Sequence, residues 1–221
     1  MTRLLYWDDP YLTTAAATVV TAAAGEVTLD RTIFYAFAGG QERDHGTIGG
    51  SDVLDARWEG GEIGYLLAAD HGLRVGEVVE VAIDGERRDR LRRLHMATEV
   101  VLEVLTQDDP ELQKVGAHIG SSKARLDFLA AAAISERLPR IARTVNDMVA
   151  GDLPIITAFS DVARQRRYWE ITGFARVPCA GTLPRTTGEI GAVELRRKNP
   201  GKGRERVEIT LSAGTRTEDR G

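Results

Sequence analysis

Two stretches far apart in the chain carry residue types that hold a transition metal. The first is Arg93-Leu94-His95-Met96-Ala97-Thr98-Glu99; the second is Cys179-Ala180-Gly181-Thr182-Leu183-Pro184-Arg185-Thr186-Thr187-Gly188-Glu189-Ile190-Gly191. Zinc takes imidazole, thiolate and carboxylate ligands in tetrahedral geometry, and catalytic sites keep three protein ligands and one open position. On a helix, His95 and Glu99 lie one above the other on the same face. His95, Glu99 and Cys179 therefore form a conceivable three-ligand set. A zinc ion held there lowers the pKa of a bound water to about 7. Without a metal, His95 or Glu99 can still act as general acid or base, an effect worth about 10²–10⁴-fold. In the alternative with no site at all, His95 is a hydrogen-bonded helix residue, Glu99 a paired or solvated charge, and Cys179 a small buried hydrophobe. The other histidines are His45, His71 and His118, and no spacing ties them to the set.

A third segment runs Leu29-Asp30-Arg31-Thr32-Ile33-Phe34-Tyr35-Ala36-Phe37-Ala38-Gly39-Gly40-Gln41-Glu42-Arg43-Asp44-His45-Gly46. A strand ends in paired glycines followed by a polar amide. Paired glycines let backbone approach a ligand closely or bend sharply, and they are equally at home in a plain turn.

These residues need elements to position them. The first eighty-odd residues read as β-rich, with strands over 13–20, 26–35, 56–58, 62–67 and 78–83. Turns fall at Gly25-Glu26, Gly39-Gly40, Gly46 to Gly50, Gly60-Gly61, Asp70-His71-Gly72 and Asp84-Gly85, the last as a hairpin turn. Several short strands so spaced predict a small β-barrel. The character changes near residue 86. Leu91, Leu94, Ala97, Val100, Val101, Val104 and Leu105 recur with helical period and predict a helix over 87–107, ended by Asp108-Asp109-Pro110. Strands follow over 114–119 and 124–129. A second helix is expected from a Ser135 cap to about Ala150, closed by Gly151, then a short helix over 161–169. A hairpin over 191–197 and 206–211 turns at Asn199-Pro200-Gly201, and the tail beyond Ser212 is polar and frayed. The fold class is α+β, with domains over 1–86 and 87–221.

The bulk properties narrow the function classes. The 221 residues are 43% hydrophobic and 28% charged, an ordinary globular composition with enough apolar mass for a core. The formal net charge of −4 excludes a generally basic nucleic-acid binder. A single cysteine, Cys179, allows no intrachain disulfide and fits a reducing compartment. Neither a secretory leader nor an apolar run able to span a bilayer is evident, so a cytoplasmic location and no membrane partner are expected.

Taken in order, the segments resemble a known family. The Thr32, Phe34-Tyr35, Gly39-Gly40-Gln41 and Asp44 run comes first, then Arg93-Leu94-His95. Arg125-Leu126-Asp127-Phe128 follows, and Cys179-Ala180-Gly181-Thr182 with Thr187-Gly188-Glu189-Ile190-Gly191 comes last. The set resembles the editing domain of alanyl-tRNA synthetase and its free-standing AlaX-type relatives, over about Leu4 to Leu211. The resemblance implies an N-terminal small β-barrel joined to an α/β editing domain with helices packed on an antiparallel sheet. It implies a stand-alone aminoacyl-tRNA deacylase serving translation fidelity: hydrolysis of the ester of mischarged tRNA such as seryl-tRNA for alanine. The partner would be a tRNA acceptor end with its attached amino acid, and the cofactor Zn²⁺. By resemblance, Thr32, Gly39, Gly40 and Gln41 bind substrate, Thr32 by a hydrogen bond to the hydroxyl of a serine moiety. Gln41 and Asp44 are weaker candidates, and Asp127 either joins the site or fixes local backbone.

This chain departs from the family in its ligands. The family carries His-x3-His and Cys-x3-His; here Glu99 replaces the second histidine of the first motif, and Leu183, followed by Pro184, replaces the last. Ala36 stands where proline is usual and Ala38 where a further glycine is usual. Two of four ligand positions are changed, and leucine ligates nothing. That leaves an alternative function, a catalytically retired homologue that binds aminoacyl-tRNA or a protein. Basic residues cluster over 87–93, 137–143, 164–167 and 196–206, the last including Arg196, Arg197, Lys198, Lys202, Arg204 and Arg206. Such a loop can hold acceptor-stem phosphates or simply be a solvated hairpin.

Overall fold

The computed structural model describes residues 2–23, 25–129, 134–201 and 203–212. Lys202 of the basic loop and the tail beyond Ser212 lie outside the described residues. The chain is mixed α and β and divides into two compact units, Met1–Leu91 and Arg92–Gly221.

The first unit holds β1 (Arg3–Leu4), β2 (Thr14–Ala23), β3 (Glu26–Leu29), β4 (Arg31–Thr32), β5 (Gly46–Ile48), β6 (Ser51–Asp52), β7 (Asp55–Glu59), β8 (Glu62–Leu66) and β9 (Val78–Ile83). Seven of these form an antiparallel sheet in the order β6-β5-β9-β2-β3-β8-β7. The ten-residue β2 pairs with β9 through its first half and with β3 through its second, with an irregularity between Val19 and Thr21 that lets the sheet curl. Alternate residues Val27, Leu29, Ile63, Tyr65, Val79, Val81 and Ile83 point into one apolar core with Phe34 and Ile33. β5 approaches β9 closely: a Cβ on Gly46 would lie 2.0 Å from the Ala82 carbonyl oxygen, so only glycine fits.

The sequence predicts one strand over 26–35, but pairing stops at Thr32. The segment beyond is tied by side chains instead. Asp44 accepts the Tyr35 N–H at 2.7 Å, and the Tyr35 hydroxyl donates to the Ala38 carbonyl at 3.1 Å. Gly39 and Gly40, both at positive φ, carry the chain through a tight reversal between Ala38 and Gln41.

Helix α1 (Gly85–Asp108) begins one residue after β9. Asp84 is its N-cap and not a hairpin turn: the Asp84 carboxylate accepts the Arg87 N–H at 2.9 Å. Burial is nearly continuous around the helix; Leu91, Arg92, Leu94, His95, Met96, Ala97, Thr98, Val100 and Val101 are all buried. A polar group buried on such a helix needs a partner. Arg88 finds one inside the first unit. Its Nε donates to Asp44 Oδ1 at 3.0 Å, its Nη2 donates to Asp44 Oδ2 and to the Ile33 carbonyl, and the two side chains are 2% and 0% exposed.

The second unit adds β10 (Gln113–Ile119), β11 (Ala124–Leu129), α2 (Leu138–Ala150), β12 (Ile156–Asp161), β13 (Arg166–Ile171), β14 (Ala175–Pro178), β15 (Val193–Gly201) and β16 (Arg204–Leu211). One antiparallel sheet runs β10-β11-β16-β15 and a second runs β12-β13-β14. α2 packs along β15, where Asn146 exchanges hydrogen bonds with the Val193 backbone at 2.9 and 2.8 Å. Two expectations fail here. α2 starts at Leu138 with no side-chain cap, because Ser135 to Arg137 form a turn ahead of it and Pro139 supplies the helical start. The span 161–169 is not a helix but the turn and second arm of the β12–β13 hairpin, in which Arg167, Trp169 and Ile171 alternate inward with period two.

Replacing Asp44 by alanine strands a buried guanidinium. The expected cost is about 3–5 kcal/mol of unfolding free energy by chemical denaturation. The Asp44→Ala, Arg88→Met double variant is expected to lose less than the sum of the two single losses.

Candidate metal centre

His95 and Glu99 both belong to the second unit and stand one turn apart on α1. Cys179 follows β14, where its backbone N–H donates to the Arg167 carbonyl at 3.0 Å and so extends the pairing with β13. The loop after it is pinned by its own polar side chains. The Thr187 hydroxyl donates to the Met148 carbonyl at 2.6 Å and accepts the Leu153 N–H at 2.8 Å. Glu189 accepts the Arg185 and Thr186 N–H groups at 2.9 and 3.2 Å. Arg93 reaches across from α1 to the Ile190 carbonyl at 3.0 Å. The Thr187-Gly188-Glu189-Ile190-Gly191 motif thus builds and anchors the loop that carries the thiol.

His95 Nε2 lies 3.6 Å from Cys179 Sγ and 3.6 Å from Glu99 Oε1. The three ligand atoms all fall within 4.8 Å of one another, the only such group of three or more among the described residues. Two features of this geometry favour a cation. One ring nitrogen carries at most one proton and cannot aim it at two acceptors. The imidazole-to-carboxylate gap also exceeds the usual N–H···O range of about 2.7–3.2 Å. Zinc bonds of about 2.0–2.3 Å at tetrahedral angles leave neighbouring ligand atoms roughly 3.4–3.6 Å apart. His95, Glu99 and Cys179 therefore fit zinc in donor type, and the two distances from His95 Nε2 match the spacing of neighbouring zinc ligands.

The other oxygen of Glu99 is occupied. Trp169 Nε1–H donates to Glu99 Oε2 at 3.0 Å. Leu183, four residues after Cys179, is buried and offers no ligand atom. Burial pulls the His95 pKa down, but Cys179 and Glu99 outweigh it and push it up to about 10. His95 in turn holds the Glu99 carboxyl below its usual range against the opposing effect of burial.

The remaining candidates fall elsewhere. Thr32, Gly39, Gly40 and Gln41 belong to the first unit. The Thr32 hydroxyl oxygen is fully buried and accepts the Phe34 N–H at 3.0 Å and the Tyr65 hydroxyl at 2.7 Å. Gln41 is buried beside the glycine turn. Asp44 holds backbone and Arg88, as described above. Asp127 binds Arg206 at 2.5 Å and Arg125 at 3.0 Å and so ties β11 to β16. In the basic hairpin, Arg197 forks onto Glu205 at 2.5 and 2.6 Å, so part of that charge is answered internally. His118 sits on β10 opposite Arg125, and His71 accepts the Leu73 N–H at 3.0 Å. Sequence reasoning missed Trp169, whose signal was the group of strand-favouring residues Tyr168, Trp169 and Ile171.

In metal-free protein the raised His95 pKa makes a stability prediction. An unfolded histidine titrates near 6.5 and this one near 10. The native state therefore holds the proton more tightly, and the stabilisation is complete below the lower value and lost as pH rises toward the upper one. In chelator, the stability advantage of wild type over His95→Gln is expected to shrink steadily across that window, read by denaturant unfolding at successive pH values.

No family model matches the chain. The alanyl-tRNA editing protein AlaX-M of Pyrococcus horikoshii is 33% identical over 217 residues, which cover 96% of this chain and 98% of that protein. AlaX-M of Methanosarcina barkeri is 30% identical over 96% of this chain and 99% of its own length. The alanine–tRNA ligase of Methanopyrus kandleri is 36% identical over 206 residues, 82% of this chain but 22% of the ligase. Similar to AlaX-M proteins along nearly its whole length, and to only a part of the ligase, the chain belongs to the family of alanyl-tRNA editing proteins.

Proposed function

We propose that this protein is a free-standing editing hydrolase that removes a wrongly attached amino acid, serine foremost, from tRNA for alanine, with zinc held by His95, Glu99 and Cys179. The observation that carries this reading is the convergence of those three ligand atoms within 4.8 Å, in a chain related throughout to alanyl-tRNA editing proteins. Bound zinc supplies Lewis acidity and water activation near neutral pH. The chain's own residues hold and orient the centre. Glu99 offers one oxygen toward His95 while the other is fixed by Trp169, and Cys179 is set in place by the β13 backbone. With leucine at 183 unable to ligate, three protein ligands remain, the number that catalytic zinc sites use.

In this reading Thr32, Gly39, Gly40 and Gln41 are the first unit's substrate-binding candidates, and the curled sheet of that unit is the family's small barrel. The tRNA acceptor end is the partner. The same Leu183 also motivates the second reading, a retired homologue that binds charged tRNA without turnover.

Purified protein is expected to hydrolyse seryl-tRNA for alanine over many turnovers and to spare alanyl-tRNA. The rate should fall to that of buffer in chelator and in the Cys179→Ala variant, and zinc should restore only the wild type. Tight binding of seryl-tRNA with no turnover, with or without zinc, would establish the second reading instead.

A further inference from the structure

We infer that Trp169 is a positioning residue for the metal centre: its indole N–H fixes which oxygen of Glu99 faces the ion. This rests on the zinc reading above. Glu99 stands where the family has a histidine. An imidazole is one rigid ring, whereas a glutamate has a longer, more mobile stem and two interchangeable oxygens. Such a ligand needs something to hold its terminal group.

Trp169 meets that need. It is fully buried on the central strand β13, paired with Thr157 on one side and Val177 on the other. Its ring stacks on Phe174, with centroids 6.5 Å apart and planes 23° apart. The donor is therefore held by packing on a sheet. An indole N–H can only donate, and once buried it requires an acceptor. The acceptor here is Glu99 Oε2 at 3.0 Å, which turns Oε1 toward His95 Nε2. Groups that orient metal ligands in this way are worth about 10–100-fold in metal affinity.

The test measures zinc affinity of the full chain by competition with a chromophoric chelator, in wild type, Trp169→Phe, Glu99→Ala and the double variant. The metal-free melting curve of each is recorded alongside. Trp169→Phe keeps an aromatic ring and removes the donor. The expected result is a 10–100-fold loss of affinity in the wild-type background and no further loss when Glu99 is already alanine, with an altered visible spectrum of the cobalt-loaded Trp169→Phe protein. Equal affinity for Trp169→Phe and wild type overturns the inference. So does an equal loss in both backgrounds, since the indole would then act through the fold and not through Glu99. Failure of wild type itself to bind zinc rejects the zinc reading beneath. Should phenylalanine unfold the chain, benzothienylalanine at 169, which replaces the N–H by sulfur at nearly the same ring size, gives the same comparison.

Discussion

A charge taken out of water has to be met inside the protein, and helix α1 is where this chain faces that demand. Most of its middle is buried, and it carries Arg88, Arg92 and His95 among the buried leucines and valines. Isolated ions in such a place are costly enough to change protonation state or disrupt packing. Arg88 is met by a carboxylate that also accepts a backbone N–H, so that one ion pair fixes both the segment before the glycine turn and the start of the helix. His95 is met by a carboxylate on its own helix and by a thiol brought from a distant loop. The first arrangement is saturated. The second is more widely spaced, at 3.6 Å from the imidazole to each neighbour, and its donor types suit an ion.

The difference between these two clusters separates scaffold from chemistry. Around Asp44, the Tyr35 N–H and the Arg88 guanidinium bond the carboxylate directly and the Asp44 and Arg88 side chains are sealed. Around His95, the thiol and one carboxylate oxygen each stand 3.6 Å from the imidazole, about the edge of a metal tetrahedron, while Trp169 holds the carboxylate and β13 holds the backbone of Cys179. Much of the polar sequence between Thr186 and Gly191 serves that anchoring. The Thr187 hydroxyl and Glu189 carboxylate bond backbone atoms of α2 and of the loop itself, and Arg93 of α1 bonds the Ile190 carbonyl.

Much of this was readable from residue types. The strands at 62–66, 78–83, 113–119 and 124–129 and the long helix followed their hydrophobic periods, and the paired glycines marked a real reversal. His95 and Glu99 fell on one face because helical spacing dictates it, and Cys179 was named as the only sulfur ligand of its kind. Three things were hidden. Asp84 looked like a turn residue because an N-cap and a hairpin turn favour the same side chain, and only the hydrogen bond to Arg87 tells them apart. Asp44 and Arg88 are ordinary surface types, and their pairing joins positions distant in sequence. Trp169 was assigned to a helix because charged residues at 164, 166 and 167 blurred an alternation that only the partners β12 and β14 make definite.

That alternation limits how the gene can change in length. Residues 167, 169 and 171 face inward and their neighbours face out or lie at the margin. Adding or deleting one codon inside β13 ahead of Trp169 would exchange the two faces, turning the indole to solvent and delivering Tyr168 or Glu170 in its place. The hairpin tip around Gln165, already at positive φ, can absorb a change of length at far lower cost. Natural insertions among relatives should therefore accumulate at that tip and be absent from the strand beside it.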